Sequence, residues 1–403
     1  MQITDNPLKI RSLARMLFPK TNKVPASGGV RRVDFHSSVE LATFQTGLLR
    51  ALAAAGWTAR HRFQVSQADY WNARSPMERW NARVQAYAVY PARLAAEYLR
   101  KRDGIGVVCT NTFFAPGLAE LAGRRVGVPV VHWVFDLFPD ALVLAGRVRG
   151  GSLAERLLRT WVRATLNAAA ANVFLGKRLQ EFAEENFGPI PRSHVIPVGC
   201  DATPFRDSLP LPRAPGSPVR VLYCGNLGRM HDIDTFLALA TAGLPTGIAF
   251  EFRGNGASYR ALESAVRAST SRTQIGLGGH IPVESWIAAM AGADVALVTM
   301  RPGAESVVMP SKTYSAMAAG QAILAICPRR SDLADTVLAH DCGWVVNPGD
   351  HAKLRSVLEG IVADPAPLLQ KKGNAWKAGQ EVYDQQILVK QWIDVLNSAR
   401  EFR

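Results

Sequence analysis

Prolines at 204, 210, 212, 215 and 218, within "CDATPFRDSLPLPRAPGSPVR" (200–220), cut the chain into two halves. Proline fixes φ and lacks a backbone donor, so this run continues neither a helix nor a central strand, and it reads as an interdomain linker. The same rhythm recurs on either side: a short apolar run, a glycine or polar turn, then an amphipathic stretch. Before the prolines the apolar runs are "GVVCTNTFF" (106–114), "VPVVHWVF" (128–135) and "ANVFLG" (171–176). After them come "VRVLYCG" (219–225), "IAFEFRG" (248–254), "ADVALVTM" (293–300), "QAILAIC" (321–327) and "GWVVNPG" (343–349). Such alternation indicates parallel sheets covered on both faces. The expected fold is α/β, with two Rossmann-like domains facing a cleft. They span residues 1–200 and 219–384, joined by 201–218, and a helix at about 385–403 packs back on the first. A chain of 403 residues suits two domains better than one core.

Composition narrows the class. A hydrophobic share of 48% with 20% charged residues excludes a disordered chain. Cys109, Cys200, Cys224, Cys327 and Cys342 show no paired spacing, which fits buried thiols in a reducing compartment and supports neither a zinc site nor a disulfide framework. No run approaches the roughly 20 apolar residues that span a bilayer, and "MQITDNPLKIRSLARM" lacks the apolar core of a signal peptide. A cytoplasmic protein is expected. The net charge of +14 is unevenly placed: residues 1–200 hold 27 Lys/Arg against 14 Asp/Glu, residues 201–403 hold 20 against 19. The first half therefore faces an anionic partner or carries a merely soluble basic surface.

In doubly wound sheets ligands bind outside the carboxyl ends of the strands, so the loops after the apolar runs carry the function. The loop "YCGNLGRMHDIDTF" offers Gly225, Asn226 and Gly228 for close backbone approach, with Arg229 and His231 as cationic or hydrogen-bonding groups. That combination favours phosphate binding over a plain turn. The loop "RGNGASY" has Gly254 and Gly256 but Tyr259 at the third fingerprint position, so hydride chemistry is discounted and the loop is read as a turn near a ligand. In "VVMPSKTYSAMAAGQAILAI", Pro310, Ser311, Lys312 and Thr313 open a helix that Gly320 closes. A lysine at the positive end of a helix is unfavourable unless an anion sits in front of it, and a diphosphate supplies one.

These ordered motifs resemble the GT-B glycosyltransferases of family 4, in the bacterial branch that builds surface polysaccharides. "YCGNLGRMHDIDTF" is similar to that branch's phosphate loop, and "RPGAESVVMPSKTYSAMAAGQAILAI" to its donor-site signature. "HVIPVGCDATPF" resembles the segment ending the first domain, and "WVFDLFPDALVLAG" an Asp-Leu-aromatic-Pro motif. Gly28 and Gly29 fall where a glycine pair lies near the acceptor. One departure stands out. Many members carry two glutamates eight residues apart, whereas the matching positions here hold Val307 and Ser315, with Glu305 nearby.

The resemblance implies retaining transfer of a sugar from a nucleotide-diphosphate sugar to a lipid-linked or polysaccharide acceptor. Arg229 and Lys312 would stabilise charge on the leaving diphosphate, with Glu305 at the donor sugar; no cofactor beyond the donor is required, and no Asp-x-Asp pair suggests a metal. Asp136 is expected either to contact a sugar or to serve as a structural carboxylate. His132, inside a strand run, reads as a core histidine, and His280 as a loop residue. "YWNARSPMERWNARVQAYAVYPARLAAEYLRKR" mixes Trp, Tyr and Arg as a helix on an anionic bilayer does, and equally as packed aromatics with a solvated arginine face. A peripheral position on the inner membrane face is the expectation. A nucleotide-sugar epimerase or hydrolase is the competing reading, though it needs acid/base groups around the sugar and the signature offers only Glu305. No nucleic-acid-reading motif is present, and nucleic acid is not an expected partner.

Overall fold

The computed structural model describes residues 31–402 apart from 72–74, 101, 102, 215, 270 and 308. Gly28 and Gly29 lie outside the described residues. The chain forms two compact units, one running to Pro197 and including Leu388–Arg403, the other Val198–Ile387.

The first unit holds six parallel strands: β1 (Arg32–Val39), β2 (Thr58–Val65), β3 (Ile105–Cys109), β4 (Val130–Val134), β5 (Ala171–Phe174) and β6 (Ser193–Val195). Their order is β2-β1-β3-β4-β5-β6, so the chain reverses direction across the sheet between β1 and β3. Every residue of β3, β4 and β5 is buried, as helices on both faces demand. "TNTFF", expected as the end of a strand, leaves the sheet at Cys109 and leads into the helix Ala115–Val126. Trp392, on the helix Gln385–Glu401, meets Trp133 and Phe35 edge-on at 5.0 and 5.6 Å.

In the second unit lie β7 (Val219–Asn226), β8 (Ile248–Asn255), β9 (Ile275–Gly278), β10 (Val295–Thr299), β11 (Ala322–Ile326) and β12 (Gly343–Val346). The order β12-β11-β10-β7-β8-β9 is the dinucleotide-fold order, with its reversal between β7 and β10. That reversal opens a crevice at the carboxyl ends of these two strands, where the expected phosphate loop and the stretch before Lys312 both emerge.

The proline run is laid along the second unit. Phe205 is buried edge-on to Trp286 at 5.5 Å, its carbonyl accepts from Trp376 Nε1 at 3.0 Å, and Arg213 reaches Asp294 at 3.7 Å. Apolar and ionic anchors of this kind hold a segment that its prolines keep from becoming helix or strand.

Candidate active site

The second unit's site grows from β7. Val219, Val221 and Tyr223 alternate into the core, so the strand carries a tyrosine in its buried row just before the loop. Phe252 stacks on the Tyr223 ring at 5.7 Å and His231 meets it edge-on at 5.9 Å. Burial raises the phenol far above its ordinary value, so it stays neutral. Its hydroxyl donates to the Asn226 carbonyl at 2.9 Å, leaving a lone pair for Lys312 Nζ, 2.6 Å away. The same ammonium lies 3.9 Å from the ring centroid. Sequence reasoning missed Tyr223, because within "VRVLYCG" it looks like one more core residue.

Lys312 opens the helix Lys312–Ala318 and is half-buried; desolvation pushes its ammonium down to about 7, against a smaller opposing effect of Cys224. A Cβ on Gly225 would sit 3.8 Å from its Nζ, so the cation stands against the backbone of the β7 turn. Free N–H groups at the start of this helix are few. Thr313 N–H donates to the Pro310 carbonyl and Tyr314 N–H to that of Ser311, both at 3.2 Å. Thr313 Oγ1 also donates to Pro310 O at 2.8 Å, and Ser311 makes no side-chain cap. In this short helix the first turn tightens on itself, and the side-chain cation remains the principal anion-seeking group.

His231 Nδ1 lies 2.8 Å from the Thr299 carbonyl, which only accepts, so Nδ1 carries the proton and Nε2 is the acceptor. Burial, then Lys312, depresses its pKa to about 3. Of the two roles expected for His231 the hydrogen-bonding one fits; a second cation beside a buried ammonium does not. Arg229 is exposed, and its guanidinium pairs with no described carboxylate. Arg301 N–H donates to Met230 O at 3.0 Å and Arg301 Nη1 to Arg229 O at 3.5 Å, tying the loop after β10 to the loop after β7. Arg301 is thus another cation beside the crevice, and its only sequence signal was its position directly after an apolar run.

Gly254 and Gly256 have a packing task. A Cβ on Gly254, at φ 146°, would meet Gly225 O at 2.0 Å, and one on Gly256 would meet Leu227 O at 2.4 Å. They let β8 and the chain after it press against the β7 loop. Two buried oxygens, Asn226 Oδ1 on the loop after β7 and Glu305 Oε2 on the stretch after β10, accept no hydrogen bond among the described residues. Glu305 sits on the single turn Ala304–Ser306, while Val307 is buried. Among the described residues no group of three His, Cys, Asp or Glu could hold a metal ion.

In the first unit, Asp136 follows β4. Thr110 Oγ1, at the end of β3, donates to Asp136 O at 2.9 Å and accepts from Phe135 N–H and Asp136 N–H at 3.0 and 3.2 Å, so one hydroxyl clamps the whole turn. The Asp136 carboxylate caps no helix, and burial raises its pKa to about 6. With His132, Phe113, Phe138 and Trp161 it lines a small pocket. His132 is buried in β4, and burial pushes its pKa down to about 3 against a smaller opposing effect of the Asn172 side chain. His280 is exposed after β9.

Residues 41–199 match the family described as Glycosyl transferase 4-like domain. That match covers the greater part of the first unit and makes the chain similar to family 4 glycosyltransferases there. Among curated relatives, the probable glycosyltransferase WbjE of Pseudomonas aeruginosa is 29% identical over 65% of this chain and 66% of its own length. The putative colanic acid biosynthesis glycosyl transferase WcaI of Escherichia coli is 29% identical over 56% of this chain and 58% of its own. The matched stretches therefore span about three fifths to two thirds of those curated relatives. HepE of Anabaena, solved in complex with UDP, superposes with a TM-score of 0.65 at 11% identity over 92% of this chain and 100% of that one. The fold of the chain is GT-B.

Proposed function

We propose that the chain is a retaining glycosyltransferase moving a sugar from a nucleotide-diphosphate sugar to a lipid-linked or polysaccharide acceptor in cell-surface polysaccharide biosynthesis. The observation that carries this reading is Lys312 Nζ, held by Tyr223 against the Gly225 turn beside the β7–β10 reversal. A half-buried ammonium at a strand-end crevice, with no carboxylate hydrogen-bonded to it among the described residues, calls for an anionic ligand. The UDP bound to HepE and the colanic acid assignment of WcaI support a nucleotide sugar and a polysaccharide pathway.

In the proposed reaction Lys312 and Arg229 stabilise the charge that gathers on the departing diphosphate. Gly225 and Gly228 let the backbone approach it, and neutral His231 offers Nε2 as an acceptor for a hydroxyl of the donor rather than for the diphosphate. The bond from the sugar's anomeric carbon to the diphosphate breaks as the bond to the acceptor oxygen forms on the same face. The acceptor's proton passes to the leaving phosphate oxygen, so no separate base is needed. Asn226 Oδ1 and Glu305 Oε2 are acceptors that a bound sugar's hydroxyls would satisfy. Asp136 would hold an acceptor or donor hydroxyl. Gly28 and Gly29 remain the proposed acceptor glycines.

The anionic inner membrane face is the proposed partner of the first unit. Along the helical run 76–100, Met77, Trp80 and Tyr87 are exposed, with Arg79 and Arg83 exposed alongside. Among the described residues no helix is long and apolar enough to cross a membrane.

Incubation with a panel of nucleotide sugars tests the reaction. Release of a nucleoside diphosphate, raised by acceptor, supports transfer, whereas an isomerised nucleotide sugar with nothing released supports an epimerase. Lys312→Ala should lower kcat/KM by roughly 100- to 1,000-fold. Unchanged turnover in that variant rules out the diphosphate site.

A further inference from the structure

We propose that the first two turns of the helix Leu153–Ala168, with Phe114 beside them, form a lipid-inserting face that docks the first unit on an anionic bilayer. The face is separate from the aromatic run 76–100, and the inference rests on the membrane reading above.

Ser152 starts the helix by accepting from Glu155 N–H at 3.2 Å. Leu153, Leu157 and Trp161 then recur every fourth residue, on one side of the helix. Leu153 is 72% exposed and Leu157 63%, and the 48% exposed Phe114 meets Trp161 at 6.1 Å. Isolated surface leucines need no explanation, but a continuous row of two leucines and two aromatic rings does.

The charge around that row selects its occupant. Arg147, Arg149 and Arg156 are all exposed. The lone carboxylate of segment 147–163, Glu155, is buried and tied to Arg159 at 2.8 Å. The exposed surface of this segment is thus apolar and cationic with no competing acid, the chemistry of an interfacial helix that inserts leucines while arginines meet lipid phosphates. Its aromatic end reaches the site: Phe114 packs on Phe113 at 4.5 Å, and Phe113 on Phe138, two residues after Asp136, at 5.4 Å. A bilayer seated there brings a lipid-anchored hydroxyl to the Asp136 turn.

Co-sedimentation of the full chain with phosphatidylglycerol–phosphatidylcholine vesicles tests the face. Leu153→Ser/Leu157→Ser should reduce the vesicle-bound fraction by about tenfold at unchanged melting temperature. Arg147→Glu/Arg149→Glu should reduce it independently of any packing change. Binding equal to wild type in both variants overturns the inference and leaves the membrane reading to Met77 and Trp80, whose Met77→Ser/Trp80→Ser variant then loses binding. A wild type that ignores anionic vesicles at low salt removes the membrane reading itself. If the leucine variant loses self-association while its vesicle binding stays intact, the face belongs to a second copy and the inference falls.

Discussion

At the scale of single residues, the site depends on how one ammonium is kept in place. Lysine has a long flexible stem, and fixing it costs rotamer entropy that a bare pocket does not repay. Here a buried phenol offers both its π face and its oxygen, and that oxygen's own proton is committed to Asn226. Tyr223→Phe keeps the ring and loses the oxygen, so KM for the donor should rise by about five- to tenfold with a smaller change in kcat. Steady-state kinetics at varied donor concentration measure the split, and an unchanged KM would mean that the ring alone holds Lys312. The pKa of Lys312 sets a second expectation. In the proposed reaction its protonated form binds the diphosphate, and in the free protein that form is lost as pH rises through about 7. Calorimetric affinity for a nucleoside diphosphate should therefore weaken above that pH, with proton uptake on binding, and Lys312→Arg should flatten the profile. Lys312, Gly225 and His231 were legible in the sequence because cations and glycines are out of place in a packed strand-end loop. Tyr223 was not, since an aromatic in an apolar strand has an ordinary use.

At the scale of elements, the strands readable from sequence were those with a compact apolar run: β3, β4, β5, β10 and β11, buried throughout, and β7, β8 and β12, buried in part. β1 escaped because "RVDFHSSV" hides Asp34, His36, Ser37 and Ser38 in the core. Those groups find partners only in three dimensions: Asp34 lies 3.5 Å from Arg32 and 3.8 Å from Arg62, and Ser37 Oγ lies 2.8 Å from His61 Nε2. β2 escaped because an edge strand is half polar, and β9 because "IGLG" is short and glycine-rich. The glycine loop "RGNGASY" shows the reverse problem, since a composition suggestive of ligand contact is explained by two chain segments in register. Gly225 pairs with Gly254 across β7 and β8. Gly254→Ala adds a methyl 2.0 Å from the Gly225 carbonyl at a φ of 146°. It should destabilise the second unit by about 2 kcal/mol or more, read by chemical denaturation. Loss of nucleotide binding without loss of stability would instead favour a direct ligand role.

At the scale of the whole molecule, the first unit draws its core from both ends of the described chain. Trp392 packs on Phe35 and Trp133 although more than 250 residues separate it from either, and it is 1% exposed. Trp392→Ala should cost about 3–5 kcal/mol in the stability of that unit, seen as a selective drop in its melting transition. The alternation of apolar runs revealed two sheets, but periodicity has no bearing on which sheet a distant tryptophan completes. That closure has a consequence during synthesis. While a ribosome is still making the second unit, the nascent first unit carries an aromatic socket between Phe35 and Trp133 that its own chain cannot yet fill, so the domain made first is the one that matures last.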